Sequence, residues 1–227
     1  MRWVRDATGR FPKRPHLETA ELDQACAELV GELRLVRPSH ELSLSTDDLA
    51  VLIEQRAADL DLYADLSAEG ADVEAVTDFC PKARPRVRVS ERLSADPRRE
   101  HRLRTTLAHE LAHVVFHNFI WWFDQTPIDA ARAAELSPRC HRTVRGLDWM
   151  EWQAGYASGA LLVQASAVGE VIGDHSAWVR SSAGRAMVRR TQEAFDVSAR
   201  TAGVRLQQLG YLTQRPRAVL RAPVPRF

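Results

Sequence analysis

His109-Glu110-Leu111-Ala112-His113 sets two imidazoles and a carboxylate at the spacing H-E-x-x-H. On a helix, residues four apart stack on one face with Cβ atoms about 5–6 Å apart. Both imidazoles can then reach one metal ion at about 2.0–2.1 Å, the usual Zn–N distance. Glu110, a further step round the helix, is placed to take a proton from a water at that ion. The chemistry this predicts is metal-assisted hydrolysis, with His109 and His113 as ligands and Glu110 as general base. His117, one turn further on, is a ligand by spacing alone, or a residue supporting the site.

Positioning those side chains requires a helix, and residues 96–117 specify one. Asp96 is a good N-cap and Pro97 a good first-turn residue. Leu103, Leu107, Leu111, Val114 and Val115 form an apolar face, with His109, His113 and His117 on roughly the opposite side. A second helix is predicted over residues 149–164. There Glu151, Ala154, Gly155, Ser158 and Gly159 share a face that is small apart from the carboxylate. Small residues let two helix backbones approach closely, so Glu151, 38 positions after His113, can complete the ligand set. Its competing role is an ordinary first-turn glutamate favoured by the helix dipole. Two His and one Glu leave a fourth zinc position for water, the mark of a catalytic rather than a structural zinc.

The remaining elements predict an α+β fold. Helices are expected over residues 18–35, capped by Thr19, and 46–58, capped by Ser45. Alternating apolar residues over 59–66, then 73–79 and 86–90, predict a small antiparallel sheet packed on the His helix. Strand 86–90 is expected to be exposed, so that substrate adds to it as a further strand. Ile120-Trp121-Trp122-Phe123 opens an irregular stretch, 118–148, as core packing or as a wall of the substrate cleft. Helices at 183–195 and 199–209, broken at Asp196-Val197-Ser198, have a helix-turn-helix look. The expected organisation is a poorly ordered basic arm (1–16), a domain that carries both ligand helices (17–165), a helical subdomain (166–213) and a basic Pro/Arg tail (214–227).

Composition narrows the class. The chain has 227 residues, 45% hydrophobic and 27% charged, ordinary for a globular protein with a sizeable core. Cys26, Cys80 and Cys140 are odd in number and widely spaced, which suits a reducing compartment and no disulfide framework. With no apolar leader and no run of membrane-spanning length, a cytoplasmic protein without membrane partners is expected. The net charge of +1 conceals an asymmetry: residues 180–227 hold 10 Arg and 2 acids. Such a split marks either a nucleic-acid-binding segment or a basic part attracted to an acidic body.

With both ligand helices in hand, the chain resembles the ImmA/IrrE family of bacterial and phage metallopeptidases over about residues 84–212. His109-Glu110-Leu111-Ala112-His113, with His117 a turn later, is similar to the family's H-E-x-G-H. The run from Glu151 through Ala154 and Ala157 to Leu161-Leu162 is similar to its downstream E-x-x-A-N-x-x-A-x-x-L-L-M-P helix. Arg104-Thr105-Thr106-Leu107-Ala108 and the Val197-Ser198 … Arg205-Leu206 segment also match. Ala112 stands for Gly, Gly155 for Asn, and Val163-Gln164 for Met-Pro; none removes a ligand or the base. The resemblance implies a zincin-type fold and a gluzincin-like endopeptidase. It implies one zinc ion on His109, His113 and Glu151, with Glu110 as base and a helix-turn-helix repressor as the expected protein substrate. The group that stabilises the oxyanion is left among Tyr156, His117 and His141. The alternative is a DNA-binding or regulatory protein that uses the basic C-terminal helix pair and keeps the zincin fold without turnover.

Overall fold

The computed structural model describes residues 1–123, 148–173 and 183–212. His141, the turns expected near 137–146 and the 214–227 tail lie outside the described residues. The chain opens with a hairpin, β1 (Arg2–Arg5) and β2 (Lys13–His16), followed by helices α1 (Thr19–Val36) and α2 (Thr46–Glu54). Strands β3 (Asp59–Ala64), β4 (Ala75–Asp78) and β5 (Arg86–Ser90) come next, then the short helix α3 (Glu91–Ser94) and the His helix α4 (Glu100–Phe116). After α5 (Ile120–Phe123) the described chain resumes with α6 (Trp149–Leu162), α7 (Ala165–Ile172), α8 (Ala183–Phe195) and α9 (Ala199–Gln208). The fold is α+β, as expected. No helix among the described residues is long and apolar enough to cross a membrane.

The sheet is mixed rather than antiparallel. Its order is β3-β5-β4, with β5 parallel to β3 and antiparallel to β4. The expected exposed edge at 86–90 is therefore the central strand. Val87 and Val89 are buried and Arg88 lies on the other face, where it binds Asp78 and Glu69. Periodicity identified the strands, but it carries no information about which neighbour pairs with which. The edge that faces α4 is β4.

The N-terminal residues also differ from expectation. Instead of a draped arm they form β1 and β2, paired from Arg2↔His16 to Arg5↔Lys13. Buried Asp6 closes the connecting loop by accepting from the Thr8 and Phe11 backbone N–H groups. Phe11 is itself buried in an aromatic cluster with Phe79, Ile120, Trp149 and Met150. A 16-residue basic segment with one Phe carries little periodic signal, and its order comes from what it docks on. The first helix is preceded by Glu18 rather than capped by Thr19, and the Glu21 carboxylate accepts the Glu18 N–H at 2.8 Å. Ser45 caps α2 as expected, though that helix ends at Glu54 rather than at 58.

The main core lies where α4 meets α2 and α6, with α1 on the far side of α6. Leu49, Leu52 and Ile53 of α2 and Leu103, Leu107 and Leu111 of α4 are buried there. Small buried side chains line the helix pair, Ala108 and Ala112 on α4 and Ala154, Ala157 and Ser158 on α6. Methyl-sized side chains let the two backbones close in, which brings a carboxylate on one helix within reach of imidazoles on the other. The α8–α9 pair is docked on this body. Buried Arg104 of α4 donates to the Phe195 carbonyl and to both the carbonyl and carboxylate of Asp196, which occupies a left-handed conformation just past α8. Arg205 of α9, 1% exposed, donates to the Val163 carbonyl and pairs with Asp23 of α1. Part of the charge asymmetry is thus internal, a basic segment neutralised by the acidic body.

Candidate metal centre

Helix α4 presents His109 and His113 on one face, and α6 brings Glu151 against them from its first turn. Four atoms face one another, each imidazole nitrogen against its own oxygen of Glu151. His109 Nε2 and His113 Nε2 are 3.1 Å apart, and Glu151 Oε2 and Oε1 lie 3.3 and 3.2 Å from them. Ligands bound tetrahedrally at about 2.0–2.1 Å sit about 3.3–3.4 Å from one another. The observed contacts are close to that spacing, and one ligand atom from each residue lies within 4.8 Å of the others, so the group could hold a metal ion.

Behind His113 a chain of hydrogen bonds assigns the protons. The Pro15 carbonyl of β2, like any carbonyl, can only accept, and Gln153 Nε2 donates to it at 3.3 Å. Gln153 Oε1 therefore faces His117 Nε2, at 3.0 Å, and accepts its proton. His117 is fully buried. Burial and then the neighbouring His113 push its pKa well below 6.5, so the ring is neutral and its Nδ1 is an acceptor. His113 Nδ1 donates to it at 2.8 Å, which leaves His113 Nε2 bare and turned toward Glu151 and His109. A ligating histidine needs that tautomer. The aromatic cluster holds the rings edge-on: Phe79 against His113 at 5.9 Å and Trp149 against His117 at 5.6 Å between centroids. His117, expected on the cleft wall or at the oxyanion, is thus a support for a ligand. With no exposed surface it has no access to a reacting group.

Glu110 is held from the other side. Thr77 Oγ1, fully buried on β4, donates to Glu110 Oε2 at 2.6 Å. A recess of about 30 Å³ opens where Glu110, His109 and Glu151 meet the backbone of residues 72–75 at the start of β4. That is room for water beside the carboxylate. Glu74, just before β4, is gripped by Arg99 and Arg102 from the start of α4, which ties this strand end to the His helix.

The structure brings together the residues named from the sequence as His109, Glu110, His113 and Glu151, and it puts Tyr156 nearby. The Tyr156 hydroxyl donates to Asp23 at 2.9 Å and its ring lies under Arg205, so this side chain is engaged in the α1–α6–α9 seam. Trp121 belongs to the aromatic cluster, stacked on Phe79, which is core packing rather than a cleft wall. Sequence reasoning missed Thr77, Gln153 and Pro15. The one available signal was His117 itself, since a buried third imidazole one turn past a ligand requires a polar partner. The ligand helix is anchored by the same N-terminal segment: Arg10 donates to Asp148 Oδ2 at 2.8 Å, and Asp148 Oδ1 caps α6 at Met150 N.

Comparison with protein-family models, curated proteins and solved structures returns no match.

Proposed function

We propose that this chain is a zinc-dependent endopeptidase, similar to the ImmA/IrrE peptidases, that cleaves a protein regulator such as a helix-turn-helix repressor. The observation that carries the reading is the His109–His113–Glu151 group, with imidazole and carboxylate atoms in contact at 3.1–3.3 Å, and a buried carboxylate, Glu110, beside a water-sized recess. Zinc held there would polarise the scissile carbonyl and lower the pKa of water to about 7.

The chain's own residues supply the rest. Glu110, oriented by Thr77, takes the proton from the attacking water and passes it to the leaving nitrogen. The edge of β4, whose preceding residues line the recess, offers backbone groups to an extended substrate strand. The Pro15–Gln153–His117 chain keeps His113 in its metal-binding tautomer. The alternative of DNA binding through α8 and α9 is less well supported. One of its arginines, Arg205, is buried in an ion pair, and Arg200 faces the groove beside the metal site.

Glu110→Gln tests the assignment. The variant is expected to retain one zinc by metal analysis and to lose at least about a hundredfold in peptide cleavage. A repressor encoded beside this chain's gene, cut by the zinc-loaded protein and intact with the variant, is the expected substrate result. Full cleavage by the variant would remove Glu110 from the mechanism.

A further inference from the structure

A larger groove, about 920 Å³, reaches the metal centre at His109 and Glu151 and runs between the start of α4, the outer face of α6 and α9. Its walls are one-sided in charge. Arg98, Arg99 and Arg102 line it on one side and Arg200 and Arg205 on the other. Glu151 is the one carboxylate among its described lining residues, and that carboxylate belongs to the metal centre. The acids that pair with these arginines stand outside the groove. Asp96 takes Arg98, Asp23 takes Arg205, and the single carboxylate of Glu74 serves both Arg99 and Arg102. Arg200 is exposed on the first turn of α9. Arg205, a further lining residue, leaves its buried Nη1 without a hydrogen-bond partner. The walls are also apolar in places: Trp152 is 50% exposed, tilted against Tyr156, and Val204 is 46% exposed.

We propose that this groove selects acidic polypeptide: it binds the part of a protein substrate on one side of the scissile bond and favours Asp or Glu there. This rests on the peptidase reading above. The volume suits several residues of extended chain. Each guanidinium offers donors in a fork that matches a carboxylate, and Trp152 and Val204 supply apolar contact between the charges. A duplex, with its phosphates on a convex rod, does not enter a concave channel that ends at a metal site.

The test digests a randomised peptide library with the zinc-loaded full-length protein and sequences the products. Asp and Glu are expected to be enriched on one side of the cut. Arg200→Glu is expected to reduce the ratio of kcat/KM for acidic over neutral peptides by about tenfold, and Arg98→Glu with Arg200→Glu to shift enrichment toward Lys and Arg. Both side chains are exposed, so neither change threatens the fold. In a second arm, a fluorescein-labelled decapeptide bearing four Glu is titrated into Glu110→Gln protein, against the same peptide bearing Gln. Cleavage without acidic enrichment, or enrichment untouched by Arg200→Glu, overturns the proposal while the peptidase stands. No cleavage, but Arg200-dependent binding of the acidic peptide, keeps the groove and removes the peptidase reading. A single-stranded oligonucleotide that binds more tightly than the acidic peptide and displaces it overturns the proposal in favour of nucleic acid.

Discussion

Thr77 Oγ1 donates to Glu110 Oε2 at 2.6 Å, and the two residues come from opposite sides of the site, one on the edge strand β4 and the other on the His helix. The bond holds the Glu110 carboxylate, which lines the recess, by one of its two oxygens. Thr77→Val keeps the shape of this buried side chain and deletes the donor. Cleavage is expected to fall by about 10–100-fold with zinc content unchanged. Steady-state kinetics with parallel metal analysis checks it, and an unaltered rate would show that Glu110 needs no such support.

The hydrogen-bond chain from the Pro15 carbonyl to His113 makes a separate prediction about metal affinity. His117→Phe and Gln153→Leu each remove one bond of it, and Phe is compatible with the surrounding aromatic rings. Each variant is expected to weaken zinc binding by about 10–100-fold while circular dichroism stays native. Competition against a zinc-chelating dye measures this without any activity assay. Wild-type affinity in both variants would mean that His113 reaches its tautomer unaided.

Arg205 and Asp23 join α9 to α1 beneath the groove. Asp23→Ala strands a buried guanidinium and is expected to cost about 3–5 kcal/mol in urea denaturation. Asp23→Ala combined with Arg205→Met removes the charge as well and is expected to be more stable than Asp23→Ala alone. If the double variant is the less stable, the pair contributes through packing and not through charge.

Cys26, buried on α1 with its thiol against the Ala157 carbonyl, has its pKa pushed up to about 12 by burial. A thiol whose folded pKa lies above its unfolded value of 9.0 keeps its proton where the unfolded chain loses it. Stability is thus unaffected below pH 9 and falls above it, by at most about 1.4 kcal/mol per pH unit. Urea titrations at pH 8 and pH 10.5 are expected to show a smaller alkaline loss in Cys26→Ala than in the wild type. Equal losses would place the alkaline sensitivity elsewhere.

The α+β class, the His helix, the Glu151 helix and the three residues that could hold a metal ion were legible because each rests on local spacing. An imidazole pair at i, i+4 is a property of a short segment; the expected small face is only partly the packed one, since Ala154 and Ser158 are buried while Gly155 is exposed and Gly159 faces Arg205 and Gln208 of α9. Less legible was anything settled by long-range pairing. The alternation in residues 86–90 marks a strand equally well at the centre or the edge of a sheet, and only hydrogen bonds to both β3 and β4 make it central. Residues 1–16 carry little periodicity, yet Phe11, Arg10 and Pro15 each dock on residues more than a hundred positions away.

By itself, then, the sequence determined which side chains stand together on the His helix, because helical geometry converts spacing directly into a shared face. Tertiary structure alone decided how they are held. Thr77 on Glu110, Gln153 and the Pro15 carbonyl behind His117, and arginines from two distant helices along one groove are contacts between segments that no local period relates. They exist because small side chains let α4 and α6 pack closely and because burial obliges each polar group in that seam to find a partner.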